Sequence, residues 1–348
     1  MTSRRTITSR RTMTSLRRSR TVGVLAIFVL AAFGPSCSSD DTAPKETATS
    51  VGAPEVTTVA SVVDLPDVVV TYSVLAAVVR ELVGDVAHVV TLIPDGQDPH
   101  EFEPSPRDIE LINGANLVVI NGLALESGLD DAISTAKDAG VPVFAVSDHV
   151  TTLDIVDVND HSDHGHVHPG AEASHSHDDH EHSKDPHVWL SPHTIREAIP
   201  ALASAASEAL GVDLTTAQSS FDAELAGVDE ELTELFSVVE NCQLVTGHNE
   251  LGYFADRYGC TVIAAILSSP STDAEESAGN MEFVIDVIRT HGARVVFTSL
   301  GTNPAVAAQV ANEANADLVE INTHFLGSSE SYVAFIRTLG TTIATSLR

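Results

Sequence analysis

Histidine carries the chemistry of this chain: there are 16, and they fall into unlike groups. Eight are crowded into one acidic tract, namely His161, His164, His166, His168, His175, His177, His180 and His182. Four others stand in separate contexts. His100 lies in Asp98-Pro99-His100-Glu101-Phe102-Glu103-Pro104, and His187 in Asp185-Pro186-His187-Val188-Trp189-Leu190. His248 lies in Thr246-Gly247-His248-Asn249-Glu250, and His324 in Ile321-Asn322-Thr323-His324-Phe325-Leu326-Gly327. Four neutral imidazoles brought together suit Zn2+, which is usually four-coordinate in closed sites. Manganese favours oxygen-rich sites and so stands behind zinc, whereas copper binds nitrogen at least as tightly by intrinsic order.

Positioning four such residues takes a scaffold, and the chain reads as two blocks of alternating strand and helix. In the first, β-branched runs over 68–72, 86–93, 117–121 and 141–146 alternate with helical spacing over 74–82, 105–113 and 127–139. Gly84, Gly114 and Gly140 stand where C-terminal glycine caps would close those helices. The second block repeats the scheme. Strands are expected over 244–246, 261–267, 294–298 and 318–321, and helices over 251–258, 274–290, 304–314 and 331–347. Such alternation implies a parallel sheet covered on both faces. The fold class is therefore α/β, as two lobes, each with a roughly four-stranded parallel sheet flanked by helices.

Between the blocks, residues 148–185 hold nine His, ten acids, one Lys and no aromatic, a composition that cannot bury a core and reads as a disordered insertion. Residues 192–240 read as helix with breaks near Pro200 and Gly211-Val212-Asp213. Within them Phe221, Leu225, Val228, Leu232, Leu235 and Phe236 recur at helical spacing, as a long rigid connection between lobes would. With the insertion excised, the four histidines follow the second, fourth, fifth and eighth strands. In open α/β sheets, ligands sit beyond the carboxyl ends of strands. One histidine there is more often a hydrogen-bonded loop residue; four at matching ends favour a shared metal site in the inter-lobe cleft. His88, His149, His193 and His291 lack that placement and are expected at the surface. Trp189 is expected to pack and to position His187. Glu101, Glu103, Glu250 and Asp256 are expected as outer neighbours, caps or surface groups and not as ligands.

The chain's 18 Lys+Arg against 49 Asp+Glu give a net charge of −31. Seven of the basic groups are arginines within the first 36 residues, which hold no acid; the remainder carries 11 basic groups against 49 acids, or −38. Such a surface repels phosphate backbones and anionic lipid, which excludes nucleic acid as a partner. Arginines followed by an apolar run over 22–33, too short to span a bilayer, read as an export signal over 1–36. It ends at Cys37, a lipidation cysteine or, alternatively, an ordinary residue behind a plain cleaved signal. Residues 37–61 are the lipidated cysteine and a polar tether. The expected domains are then 62–213, containing the 148–185 insertion, a linking helix over 214–240, and 241–348. Cys242 and Cys260 begin the strands either side of one helix, which favours a disulfide in an exported protein over a pair of buried thiols.

Three segments together resemble the zinc/manganese cluster of bacterial ABC-transporter solute-binding lipoproteins. They are Pro99-His100-Glu101-Phe102-Glu103-Pro104-Ser105-Pro106, Asp185-Pro186-His187-Val188-Trp189-Leu190 and the stretch 248–259, beginning His248-Asn249-Glu250-Leu251-Gly252-Tyr253. The similarity runs from about residue 68 to the end. It implies two α/β lobes joined by a long helix, with one metal between them held by His100, His187 and His248. The family's fourth ligand is usually Asp or Glu, and His324 stands at that place here. Glu276 likewise replaces a proline usual in its segment. A His-rich insertion resembles the zinc branch. The resemblance implies an exported, lipid-anchored and monomeric binding protein, not an enzyme, with Zn2+ as its cargo. Its partners would be an ABC permease membrane subunit and a cytoplasmic ATPase. A Mn2+ carrier, a surface adhesin or zinc store, and a surface zinc hydrolase remain rival readings; no His-Glu-x-x-His helix occurs.

Overall fold

The computed structural model describes residues 65–156, 158–159, 184–269, 271–272 and 277–348. The signal, Cys37, the tether and the eight histidines from His161 to His182 lie outside the described residues.

The first half opens on β1 (Asp67–Tyr72), whose Val-Val-Val-Thr-Tyr run is buried throughout, as a central parallel strand covered on both faces must be. The chain passes directly into α1 (Ser73–Val83), then through β2 (His88–Ile93), α2 (Pro106–Gly114), β3 (Leu117–Ile120), α3 (Asp130–Asp138) and β4 (Val143–Ala145). These strands form one parallel sheet in the order β2-β1-β3-β4. In α2, Ser105 and Asp108 cap each other's backbone and Pro106 occupies the first turn, so the start is written in the sequence. Gly84 and Gly140 have positive φ. Gly114 does not: it is the last helical residue of α2, and Ala115 closes that helix in extended backbone.

Two helices follow, α4 (Pro192–Leu210) and α5 (Thr215–Phe236). The break expected near Pro200 is absent. Pro200 lies inside α4 on its exposed side, where water can satisfy the freed carbonyl, and the helix runs on to a left-handed cap at Gly211. The apolar stripe of α5 buries Phe221, Leu225, Val228, Leu232 and Phe236. The helix packs against α1, α4, α6 and α9, elements of both halves.

The second half comprises β5 (Gln243–His248), α6 (Gly252–Tyr258), β6 (Thr261–Leu267), α7 (Ala278–His291), β7 (Val295–Thr298), α8 (Pro304–Ala314), β8 (Asp317–Glu320) and α9 (Tyr332–Ser346). β5 pairs with β6 and β7 with β8, all parallel, and β7 runs beside β5. The four-stranded sheet expected for this half is therefore divided into two parallel pairs, β5-β6 and β7-β8, lying side by side. A small core of Val245, Ala264, Ile266, Val284, Ile288, Val296 and Val310 lies under α7 and α8. The larger core runs from the first sheet through α4, α5 and α9 to α6. Cys242 and Cys260 are joined by a disulfide at the starts of β5 and β6.

The margins of the expected insertion differ from the sequence reading. Residues 148–156, 158–159 and 184–185 are ordered. His149 stacks on Phe144 with ring centroids 4.6 Å apart, and Lys184 pairs with Asp154. A strap formed by residues 153–156 and 158–159 leaves the first half and bonds to the second. Leu153 N–H donates to Tyr253 Oη at 3.1 Å, Asn249 Nδ2 donates to the Val156 carbonyl at 2.7 Å, and Asn159 Nδ2 donates to the Ala265 carbonyl at 2.7 Å. These short polar contacts order a stretch whose composition alone would leave it unpaired.

Candidate metal centre

The four histidines chosen from sequence converge. His100 sits in a single turn of 3-10 helix over Pro99–Glu101, and His187 just before another over Val188–Leu190. His248 is the last residue of β5, and His324 lies four residues beyond β8. One ring nitrogen from each falls within 4.8 Å of the other three, and all four residues are buried. Nε2 of His187 is 3.4 Å from Nε2 of His100 and 3.3 Å from Nε2 of His248. Two nitrogens about 2.0–2.1 Å from one tetrahedral Zn2+ stand roughly 3.4 Å apart, so this spacing suits a single ion.

Each ring is set by its own local chemistry. The same turn recurs twice: Asp98 Oδ1 accepts from His100 N–H at 3.0 Å, and Asp185 Oδ1 from His187 N–H at 2.9 Å. Both belong to Asp-Pro-His, in which the carboxylate closes on the backbone two residues ahead and proline stiffens the link. Asp185 goes further, because the same Oδ1 lies 2.8 Å from His187 Nδ1. A carboxylate there accepts a hydrogen bond from Nδ1–H, which fixes that tautomer and leaves Nε2 as a bare lone pair facing the other rings. Gly252 permits this closeness; a Cβ at that position would come within 2.3 Å of Asp185 Oδ2.

Trp189 does more than pack. Its indole N–H donates to the Thr323 carbonyl at 2.6 Å, its own carbonyl accepts from Tyr332 Oη at 2.8 Å, and its ring lies 5.3 Å from that of His187 and 5.8 Å from that of His324. One side chain therefore fixes the His187 and His324 loops to each other. At the carboxyl ends of β1 and β3, buried Glu126 accepts from Thr71 Oγ1 and Asn121 N–H, and Asn121 Nδ2 donates to the Pro186 carbonyl.

Burial sets the protonation. Desolvation, then the neighbouring His187, pushes His100 down to about 3. Desolvation first, and neighbouring imidazoles second, also hold His248 and His324 well below the usual histidine range. All three are neutral at pH 7, the form that ligates a metal. His324 Nε2 is buried without a hydrogen-bond partner, which suits a nitrogen that ligates a metal.

Glu250 was the least expected neighbour. It is fully buried, 3.7 Å from His248 Nε2 and 3.6 Å from His324 Nδ1. Burial raises its carboxyl to about 7, against the lowering pull of His187, Ser299 and Thr323. Its position two residues past a histidine at a strand end was a usable signal, since a strand-end turn returns i+2 toward i. By contrast Glu101, Glu103 and Asp256 are exposed, as are His88, His149, His193 and His291.

A family described as ZnuA, zinc-uptake complex component A, periplasmic, matches residues 68–346. Zinc-binding protein AdcA of Streptococcus pyogenes serotype M3 is 27% identical over 255 residues, covering 71% of this chain and 48% of that protein, so the chain spans about half of AdcA. Manganese-binding lipoprotein MntA of Halalkalibacterium halodurans is 22% identical over 321 residues, 89% of this chain and 93% of its own. The solved structure of the periplasmic zinc-binding protein TroA from Treponema pallidum shares the fold, with a TM-score of 0.69 at 21% identity over 81% of this chain and 99% of that one. Members of this family are solute-binding proteins for metal transport and not enzymes, which sets the hydrolase reading aside. With its parallel α/β halves and a family match along most of its length, the chain belongs to the ZnuA family of metal-binding components of ABC-type metal uptake.

Proposed function

We propose that the cargo is Zn2+, captured outside the cytoplasm by His100, His187, His248 and His324 and passed to the membrane subunit of an ABC permease driven by a cytoplasmic ATPase. The observation that carries this reading is the meeting of four buried imidazoles, three of them held neutral by burial. Nitrogen-rich sites favour zinc over manganese. The zinc-binding names of AdcA and TroA support it, and the name of MntA makes Mn2+ the competing cargo. The protein acts as a monomer, tethered through lipid on Cys37, with the tract from His161 to His182 as a weak, dispensable zinc collector. No helix among the described residues is long and apolar enough to cross a membrane.

The test is competitive titration of residues 38–348 with zinc and manganese, repeated with each of the four histidines changed to Ala. One tightly bound zinc that displaces manganese, and a large loss of affinity in every variant, is the expected result. Preferential retention of manganese would overturn zinc as cargo; wild-type affinity in His324→Ala alone would remove His324 from the site.

A further inference from the structure

A dication held by four neutral ligands keeps both its charges in a place water does not reach, and burying such charge without a counter-charge is strongly unfavourable. Of the buried carboxylates beside the rings, Asp98 and Asp185 each close the backbone of their own histidine turn, and Glu250 is the third. Glu250 is enclosed on every side, and only one of its oxygens has a settled role: Oε1 accepts from the Ser299 hydroxyl at 2.6 Å. Oε2 is buried with no hydrogen-bond partner, and it is the oxygen turned toward the rings.

The distance separates two roles for that oxygen. Oε2 lies 3.7 Å from His248 Nε2, too far for a hydrogen bond. That same nitrogen is 3.3 Å from His187 Nε2 and therefore faces the centre of the cluster. Two donors on one zinc, with Zn–N and Zn–O near 2.0–2.2 Å, stand between roughly 3.3 Å apart at the tetrahedral angle and 4.2 Å when opposed. The observed separation falls inside that interval, at the wider angles of a five-donor sphere. On the far side, Ser299 holds Oε1 and leaves Oε2 the free end.

We propose that Glu250 is itself a metal ligand: Oε2 binds the ion beside the four imidazoles, making the centre five-coordinate and halving its uncompensated charge. This rests on the four histidines being the metal site. The carboxylate then comes from the turn after β5, and Ser299 restricts it to binding through one oxygen.

Affinity alone does not settle the role, because outer neighbours of metal ligands also change it by about 10- to 100-fold. Coordination number does. X-ray absorption of the zinc-loaded full chain is expected to show five nitrogen or oxygen donors. The Co2+-loaded protein is expected to show the weak visible bands of a five-coordinate ion. E250Q, which keeps the shape and the Ser299 contact, is expected to convert them to the intense bands of a tetrahedral one. Four donors in the wild type, with Co2+ spectra unchanged in E250Q, would overturn the inference while leaving the histidine site intact. If instead the wild type bound no metal, or H100A bound it as well as the wild type, the histidine site would fall and Glu250 with it. The absorption measurement uses only the wild type, so misfolding of a variant does not obscure the outcome.

Discussion

At the scale of single residues, the centre depends on groups that set the ligands as much as on the ligands. Asp185 fixes both the backbone and the Nδ1 of His187. Asp185→Asn keeps the shape but no longer draws the Nδ1 proton, and zinc affinity is expected to fall about 10- to 100-fold; calorimetric titration checks it, and an unchanged affinity would count against the carboxylate's role. Acid should act on the metal-free protein through opposed groups. His100, at about 3, and His248 and His324, well below 6.5, stay neutral when folded, yet protonate below about pH 6.5 when unfolded. The unfolded chain then binds more protons, and stability falls as pH drops from 6.5 toward 3. Glu126 and Glu250, raised to about 7 from 4.5, do the reverse: their stabilising contribution is full below 4.5 and is lost as pH rises through 7. Three groups outweigh two, so thermal melts from pH 7 to 4 should show a falling midpoint, and E126Q a steeper fall. A midpoint that rises steadily over that range would contradict the neutral histidines. The four histidines were legible because each stands at a strand end; Glu250 and Asp185 were not, because their role is set by where Ser299 and the His187 ring arrive in space.

At the scale of elements, periodicity located nearly every strand and helix, and the departures have local causes. Pro200 reads as a breaker, yet α4 passes through it because its exposed side leaves the freed carbonyl to water. The strap was lost in an acidic, histidine-rich background, since its order comes from Asn159, Asn249 and Tyr253 partners remote in sequence. The Cys242–Cys260 disulfide closes 18 residues and joins the starts of β5 and β6, at the opposite end of β5 from His248. Closing a loop of that size contributes about 3 kcal/mol by restricting the unfolded chain. Replacing both cysteines by Ser should lower stability by about that amount in urea unfolding while zinc stoichiometry stays at one. Loss of the metal in that variant would show that the bridge reaches further than the strand starts.

At the scale of the whole molecule, the tract from His161 to His182 and the four-histidine centre are separate in sequence and chemistry, one acidic and polar, the other enclosed by two sheets. Removing residues 160–183, while keeping the Lys184–Asp154 pair, is expected to leave the tightest zinc event unchanged and abolish only weaker ones. Loss of the tight event would sink the idea of a dispensable collector. The strap has a consequence of its own. The halves are already joined by α4, α5 and the Trp189–Thr323 bond, and the strap adds a second set of fastenings through side chains of Asn159, Asn249 and Tyr253. A body fastened on two sides does not swing wide on one hinge, so an ion enters and leaves by small, infrequent openings. Residence time, more than depth of the energy well, is what such a build governs: the ion stays for the journey, and quick unloading falls to whichever partner loosens the second fastening.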